Sequence, residues 1–142
     1  MPNEFVKPIG YSPFSRLVGF KYAKLDTACS QLVMEARSEI TNENGSVHGG
    51  AIYSMVDVGM GAALYAHLTE SERCWTAEIK INYLAAVTSG TFTCTSRVVH
   101  KGSRLAVIEA DVKNGAKHIA KAMGTFYVFP AEGYEMSQSD PA

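Results

Sequence analysis

The sequence is poor in the residues that mark disulfide-bonded or metal-binding proteins. Its three cysteines, Cys29, Cys74 and Cys94, are far apart and lack C-x-x-C spacing, so neither a disulfide framework nor a zinc or redox pair is expected. They are predicted to be reduced thiols in or near a core. The four histidines also lack metal-ligand spacing, so no metal site is predicted.

Strong net charge and a targeting segment are also missing. The chain has 13 Lys and Arg residues against 14 Asp and Glu residues, which gives no general attraction to nucleic acid or to an anionic membrane. The N-terminus, M-P-N-E-F-V-K-P-I-G, lacks the basic and then apolar segments of a secretory signal. These absences predict a cytoplasmic protein without a nucleic-acid partner.

One apolar run, Val47 to Leu68, is long enough to raise the question of a membrane span. Asp57 near its middle and His67 near its end are costly in lipid, and four glycines weaken the run as a spanning helix. We therefore interpret it as a helix enclosed by other structure, in a protein that has no membrane partner.

The length of the chain predicts one domain. At 142 residues the whole chain, 1–142, fits a single core. Prolines early in the sequence block regular hydrogen bonding, which predicts an irregular arm at 1–14, although Ser12 or Ser15 could cap a short helix through Val18. The last segment, 130–142, has no pattern that requires order and is predicted to be a flexible tail.

Hydrophobic periodicity predicts an α+β fold. Period-two patterns indicate a hairpin after Phe20 and a meander of about four strands after the polar stretch that ends at Arg73. A nearly uncharged helix begins between them, near His48. In the strand W-T-A-E-I-K-I-N-Y-L, regular alternation places Trp75 on the same face as Ile79 and Tyr83, with Thr76 on the other. One sheet of about six strands curled around the helix accommodates all of these elements.

The long helix contains one charged residue between Gly49 and Ala66, namely Asp57. A carboxylate in an apolar surround persists when it is paired, hydrogen-bonded or used as an acid, base or nucleophile. At the helix start, Gly49 and Gly50 expose backbone N–H groups that another molecule can approach. These donors lie about 11 Å from Asp57 along the helix. Either Asp57 serves another site, or a second subunit brings its Asp57 to this helix start.

A family resemblance begins at this segment. It reads N-x-x-G-x-x-H-G-G-x-x-x-x-x-x-D and resembles the signature of the hot-dog-fold acyl-CoA thioesterases of the phenylacetate-degradation (PaaI-like) type. T-A-E-I-K-I-N-Y-L-A-A-V resembles the strand after the helix in this family, and K-G-S-R with L-A-V-I-E-A-D-V resembles its next hairpin. The similarity covers Val18 to Phe129. The residues of the signature are Asn42, Gly45, His48, Gly49, Gly50 and Asp57.

The resemblance implies a hot-dog fold, in which an antiparallel sheet wraps around one long central helix. It implies assembly as a homodimer or as a dimer of dimers, a homotetramer, with active sites between subunits. The implied activity is hydrolysis of a small-to-medium acyl- or aryl-CoA thioester to the free acid and CoA. Coenzyme A is part of the substrate in this reaction, and no separate cofactor is expected.

The resemblance also implies catalytic roles. Asp57 matches the acid that acts as general base or nucleophile, and Thr76 matches a residue that helps to hold the attacking water from the same subunit as Asp57. Gly49, with Gly50 beside it as a further candidate, matches the backbone donor to the thioester carbonyl oxygen. His48 matches the residue that orients this turn, and the candidate catalytic residues are Asp57, Asn42, His48, Gly49 and Thr76.

Substrate binding is predicted at two places. Lys101 and Arg104 flank a tight turn whose cations and backbone donors suit the CoA phosphates, and the resemblance supports that role. An apolar or aromatic acyl site is less clearly marked, with Tyr83 among its candidate residues. The candidate substrate-binding residues are Gly50, Tyr83, Lys101, Gly102, Ser103 and Arg104.

Two alternative functions remain open at this point. A hydratase or dehydratase on the same fold needs a base positioned for proton transfer at the carbon next to the carbonyl, and the distance of Asp57 from the H-G-G turn favours hydrolysis instead. A non-catalytic acyl-CoA-binding or sensing module is the other alternative. No DNA-binding segment is visible in the sequence, which weakens the regulatory version of that module.

Overall fold

The computed structural model describes residues 11–132, and its elements follow the predicted order. Parts of the predicted arm and tail, residues 1–10 and 133–142, lie outside the described residues, so the domain boundaries stay predictions. The helices and strands are α1 (Pro13–Val18), β1 (Lys21–Leu25), β2 (Ser30–Glu35), a 3-10 turn (Ser38–Ile40), α2 (Gly49–Tyr65), β3 (Glu72–Tyr83), β4 (Thr91–Lys101), β5 (Leu105–Asn114) and β6 (Lys117–Pro130).

Helix α1 begins inside the segment that was predicted to be an irregular arm. Ser12 is its N-cap, and the hydroxyl oxygen of Ser12 accepts a hydrogen bond from the backbone N–H of Ser15 at 3.0 Å. Pro13 occupies the first turn, where its missing N–H costs nothing. Gly19 ends the helix with φ of 95°, a left-handed conformation that glycine adopts readily. The short helix through Val18 is therefore confirmed.

All six strands form one antiparallel sheet in the order β1-β2-β4-β5-β6-β3. Helix α2 connects β2 to β3, which lie at or near opposite ends of this order. It crosses one face of the sheet on the way, and the sheet curls around it. This is the predicted hot-dog fold, and β3 is one of its two edge strands.

Helix α2 packs tightly on the centre of the sheet through Gly59. The carbonyl of Gly59 accepts a hydrogen bond from the hydroxyl of Ser30 at 2.6 Å, and a Cβ at Gly59 would lie 3.0 Å from the Ser96 oxygen. Larger residues on the same side of the helix complete the core. Among the most deeply buried side chains are Leu32, Met34, Met55, Met60, Phe92 and Ile108.

The opposite side of α2 is only partly covered. We call it the open stripe, and its residues are half-buried or exposed although they lie on a largely apolar helix. Within residues 11–132, no helix is both long enough and apolar enough to cross a membrane. The open stripe consists of Gly50, Tyr53, Ser54, Asp57, Val58, Gly61 and Tyr65.

A β-bulge at Ala77 corrects the predicted faces of β3. In the pairing with β6, Thr76 opposes Phe126 and Glu78 opposes Thr125, so Ala77 is an extra residue. An extra residue reverses the alternation on either side of it. Trp75 therefore lies on the outer face, with its ring 4.9 Å from that of Phe129, whereas Thr76 faces α2. The prediction that Trp75 shares a face with Ile79 is wrong for this reason.

Candidate active site

The H-G-G turn builds the start of α2 around the imidazole of His48. His48 is the N-cap, and its Nδ1 accepts a hydrogen bond from the backbone N–H of Gly50 at 2.8 Å. In a neutral ring that accepts at Nδ1, the proton is on Nε2. A Cβ at Gly50 would lie 2.9 Å from Nδ1. Gly50 is therefore required by the cap, and its N–H is used within the chain.

Gly49 provides the open donor at this helix start. Among the described residues, its N–H has no hydrogen-bond partner, and it lies at the positive end of the helix dipole. Its carbonyl accepts a hydrogen bond from the hydroxyl of Tyr83 at 2.8 Å. Burial, and then the nearby Tyr53, raise the pKa of Tyr83, which keeps that phenol protonated as a donor. The first turn of α2 is thus fixed to the end of β3.

Asn42 shapes the loop before the helix. Its side-chain oxygen accepts hydrogen bonds from the backbone N–H groups of Asn44 and Ser46, at 3.0 and 3.1 Å. This loop, the helix start and the end of β3 border an open cavity of about 390 Å³. Three predicted site residues, Asn42, Gly49 and Tyr83, therefore meet at one cavity. Its lining consists of Asn42, Ser46, Val47, Gly49, Ile52, Tyr83, Leu84, Ala85 and Ala86.

Asp57 lies half-buried on the open stripe and is held by one residue of β3. Its Oδ1 accepts a hydrogen bond from the hydroxyl of Thr76 at 2.6 Å. The other oxygen, Oδ2, has no hydrogen-bond partner within residues 11–132. Thr76 reaches the carboxylate because the bulge at Ala77 turns its side chain toward α2. Asp57 and Thr76, which are predicted to act from the same subunit, are thus in contact within one chain, and the role of Thr76 in holding water stays a prediction.

The cysteine thiols are unsuited to act as nucleophiles. All three are free, with Cys29 and Cys94 buried and Cys74 half-buried. Burial raises the pKa of Cys94 to about 12. Burial, and then the charge of Asp57, raise the pKa of Cys74 to about 11. A thiol reacts as its thiolate, so the carboxylate of Asp57 is the stronger candidate for chemistry in this region.

The two groups of predicted catalytic residues remain separate within one chain. We call the first the donor half-site, consisting of His48, Gly49, Gly50 and Tyr83, and the second the acid half-site, consisting of Asp57 and Thr76. Gly49 and Asp57 are eight positions apart in a regular helix, which corresponds to about 12 Å. Across that distance, a single carbonyl group cannot accept a hydrogen bond from the donor half-site and also be attacked from the acid half-site of the same chain.

The K-G-S-R turn contains one cation in an ion pair, Lys101, and one exposed cation, Arg104. The ammonium of Lys101 lies 3.0 Å from a carboxylate oxygen of Glu72, a pairing that the sequence does not predict. The backbone N–H of Thr69, and then Lys101, hold the pKa of Glu72 below its ordinary value. Arg104 is exposed, and its side chain has no partner among the residues that the structure describes. Phosphate binding by this turn stays a prediction, with Arg104 as the available charge.

Comparison with known proteins gives the family of this chain. Residues 44–120 match the family model of the thioesterase superfamily, and they include the helix start, Asp57, Thr76 and the K-G-S-R turn. The chain belongs to the thioesterase superfamily. This thioesterase therefore catalyses hydrolysis of a thioester, and the predicted resemblance to a hot-dog thioesterase is confirmed at the level of the superfamily.

Individual relatives agree with this assignment. The thioesterase is 34% identical over 113 residues to SSO1253 of Saccharolobus solfataricus, provisionally named an esterase, covering 79% of this chain and 75% of that protein. It is 28% identical over 134 residues to YigI of Salmonella typhimurium, named a medium/long-chain acyl-CoA thioesterase, covering 83% and 86%. A solved structure, conserved protein PA5202 of Pseudomonas aeruginosa, matches with a TM-score of 0.79 and 38% identity, covering 83% of this chain and 94% of that one.

Proposed function

We propose that this thioesterase hydrolyses a small-to-medium acyl- or aryl-CoA thioester to the free acid and CoA, with Asp57 as the reacting acid. The observation that carries the proposal is the state of that carboxylate. Thr76 holds Oδ1 at 2.6 Å, while Oδ2 has no partner in the described part of the chain. The acid is therefore oriented by one oxygen and available through the other. The name of its relative YigI supports acyl-CoA as the substrate class.

The active site is composed of residues from two subunits. Within residues 11–132, strand β3 is bonded to β6 alone, so its other edge is available to pair with a second copy. It also contacts both half-sites, through Thr76 near one end and Tyr83 at the other. A two-fold axis reverses the direction of a strand relative to its partner. Antiparallel pairing of two β3 strands centred near Ile79 and Lys80 then brings Asp57 close to the partner's Gly49.

Parity along β3 supports this pairing. Residues that oppose each other in an antiparallel pair point to the same face of the sheet. Thr76 and Tyr83 are seven positions apart, so regular alternation would place their side chains on opposite faces of the sheet. The bulge at Ala77 takes one residue out of the alternation, and both side chains therefore face α2. When the two-fold axis passes through Lys80 and the bulged residue Ala77 is left out of the register, Thr76 opposes the partner's Tyr83. The homodimer formed in this way is also the unit from which a homotetramer can be built.

The chemistry follows from the positions of these groups. The N–H of the partner's Gly49 donates to the thioester carbonyl oxygen and stabilises the negative charge that develops there. In the general-base route, Oδ2 of Asp57 takes a proton from water as the water oxygen bonds to the carbonyl carbon. The tetrahedral intermediate then collapses, the carbon–sulfur bond breaks, and the thiolate of CoA takes the proton from Asp57.

The nucleophilic route uses the same atoms in a different order. Oδ2 of Asp57 bonds to the carbonyl carbon and expels the thiolate of CoA, which leaves a mixed anhydride on the enzyme. Water then hydrolyses the anhydride and releases the acid. A single turnover in heavy-oxygen water separates the routes, because the anhydride route leaves label in the Asp57 carboxylate when water attacks the aspartyl carbonyl.

The rest of the substrate is held outside the reacting centre. Arg104 and the backbone N–H of Ser103 contact the CoA phosphates, because Lys101 is already paired with Glu72 and the N–H of Gly102 donates to the carbonyl of Leu105 at 2.7 Å. The reaction is proposed to use no cofactor and no metal, and the protein to have no nucleic-acid or membrane partner. The three free thiols fit a protein that works in the reducing cytoplasm, where acyl-CoA is made and used.

CoA release tests the proposed function. Aliphatic, aromatic and hydroxylated acyl-CoA thioesters are incubated with the wild type and with Asp57→Asn, and free thiol is measured. We expect turnover of at least one aliphatic or aromatic substrate by the wild type and its near-complete loss in the variant. Tight binding of acyl-CoA without any CoA release by the wild type points to a binding module. Addition of water across an enoyl-CoA double bond points to a hydratase.

A further inference from the structure

A second cavity opens beside the acid half-site and has no role in the chemistry described above. It has a volume of about 250 Å³ and lies between α1, β1 and α2. Tyr22 of β1 and Tyr65 of α2 form parts of its wall, and Val58 and Gly61 of α2 are also in its lining. We call this cavity the side cleft.

The polar groups of α1 that border the side cleft are satisfied by one another. The hydroxyl of Ser12 donates to that of Ser15 at 3.0 Å and accepts from the Ser15 backbone N–H at 3.0 Å. Their hydrogen bonds are therefore used locally, and the remaining wall is mainly aliphatic and aromatic carbon. Such a surface favours an apolar occupant over a charged or strongly hydrated one.

Along the open stripe, the lining of the side cleft begins at the residue next to Asp57. Val58 is the next residue after Asp57, and Gly61 lies one turn later on the same side of the helix. Apart from the backbone of its own helix, a Cβ at Gly61 would have one neighbour within 4 Å among the described residues, a ring carbon of Phe126 at 3.8 Å. Because Gly61 has no side chain, no side chain stands between Asp57 and Tyr65 on this i, i+4 line of α2, and we call this line the passage.

One wall of the side cleft is held in place before any ligand binds. The ring of Tyr22 stacks on that of Tyr11, with centroids 5.2 Å apart, and the backbone N–H of Tyr22 donates to the Tyr11 hydroxyl at 3.0 Å. A preformed apolar wall lowers the ordering cost of binding. The cleft is therefore suited to select its occupant by length and shape.

The length of the passage sets the size of that occupant. Eight residues of α2 from Asp57 to Tyr65 correspond to about 12 Å. An extended chain advances roughly 3.5 Å for every three bonds, so roughly ten bonds cover this length. The terminal methyl group adds about 2 Å of its own radius, so roughly seven to nine bonds are enough. A straight acyl chain of octanoyl to decanoyl size, with its carbonyl carbon beside Asp57, therefore reaches the end of the side cleft.

We infer that the side cleft binds the acyl chain of the substrate and makes this thioesterase selective for medium-length, straight, apolar acyl groups. The inference rests on the proposed role of Asp57, because the carbonyl carbon must lie beside that residue. Gly61 is then a residue that determines specificity, and Tyr65 limits the chain length that the cleft accepts.

Chain-length profiles test this inference. The wild type is assayed for kcat/KM with acetyl-, butyryl-, hexanoyl-, octanoyl-, decanoyl- and dodecanoyl-CoA. We expect kcat/KM to rise by up to about fourfold per added methylene until the cleft is filled, and to level off near octanoyl or decanoyl. In Gly61→Val the new side chain blocks the passage, so the octanoyl substrate loses most of that gain while the acetyl substrate keeps its rate within about twofold.

A second variant gives an independent result. Tyr65→Ala opens the far end of the cleft and shifts the optimum toward dodecanoyl-CoA. Tyr53→Ala is its matched control, because Tyr53 is on the same helix, is 37% exposed against 38% for Tyr65, and does not line the side cleft. We expect Tyr53→Ala to change kcat/KM by the same factor for every chain length, so that the optimum stays where it is in the wild type. Circular dichroism confirms that each variant is folded.

The inference is overturned if Gly61→Val lowers kcat/KM for acetyl-CoA as much as for octanoyl-CoA, or if Tyr65→Ala leaves the optimum chain length unchanged in a folded protein. These results are distinct from failure of the proposed function itself. If the proposed function fails, the wild type releases CoA from no substrate, or Asp57→Asn keeps the wild-type rate, whatever the chain length.

Discussion

The donor half-site and the acid half-site lie on one helix but are built in different ways. The donor half-site offers a backbone N–H, that of Gly49, and its neighbours His48 and Tyr83 only fix the turn. The acid half-site offers a side chain, and a residue from a different element, Thr76, orients it. The donor half-site therefore follows from local helix physics. The acid half-site depends on how β3 pairs with the rest of the sheet.

Removal of the acid is the largest expected effect. Asp57→Ala and Asp57→Asn should both lower kcat by about 10²- to 10⁴-fold in the CoA-release assay. The two variants should be similar because both lack Oδ2, although the amide introduced by Asp57→Asn preserves the contact with Thr76. Wild-type activity in Asp57→Asn would contradict the assignment of the acid half-site.

Removal of the backbone donor is expected to cost almost as much. Gly49→Pro deletes the N–H, and proline is tolerated at the first helical position after an extended residue such as His48, whose ψ is 135°. We expect kcat to fall by about 10²- to 10³-fold. Gly49→Ala is the matched control, because it introduces the same Cβ against the Tyr83 ring but keeps the N–H. Equal losses in the two variants would rule out the donor role.

Loss of the contact between Thr76 and Asp57 is expected to have an intermediate effect. Thr76→Val keeps the shape of the side chain but removes the hydroxyl, so kcat should fall by about tenfold, as expected for a hydrogen bond to a charged group. Thr76→Ser should keep most of the activity because it keeps the hydroxyl. KM should change little in either variant. A Val variant with wild-type kcat would show that the acid needs no orientation by β3.

The smallest effect is expected at Glu72, which lies outside both half-sites. Its folded-state pKa is lowered from an ordinary 4.5, first by the Thr69 N–H and then by Lys101. A lowered acid pKa adds stability above the ordinary pKa, and this stability is lost as pH falls through the folded-state pKa. Glu72→Gln should therefore lower the free energy of unfolding by up to about 1 kcal/mol at neutral pH. Urea unfolding checks this, and the difference should disappear well below pH 4.5.

The comparison between the half-sites also explains what could be predicted from the sequence. The H-G-G turn was predicted as a helix start because a cap, small residues and an apolar run are all local in sequence. The structure narrows that prediction, since the N–H of Gly50 is taken by His48 and the open donor belongs to Gly49. The six-stranded sheet was predicted from alternating residues and turns, which are local patterns as well.

Contacts between distant segments were not predicted. The bulge at Ala77 depends on pairing with Phe126 and Thr125, nearly fifty residues later, and no property of Ala77 itself indicates it. The bulge decides that Thr76 rather than Trp75 faces Asp57. The ion pair of Lys101 with Glu72 likewise joins two elements that the sequence separates. Register and long-range pairing were the missing information in both cases.

Complementation between two inactive variants tests the central claim, that each active site combines residues from two subunits. Asp57→Ala and Gly49→Pro are each purified, mixed, unfolded together and refolded, and CoA release is compared with that of each variant treated alone. Randomly paired subunits should recover roughly a quarter of wild-type activity, because half of the dimers are mixed and each mixed dimer holds one intact site of two. If mixed dimers form but no activity returns, the donor and the acid do not act on one carbonyl across the subunit interface.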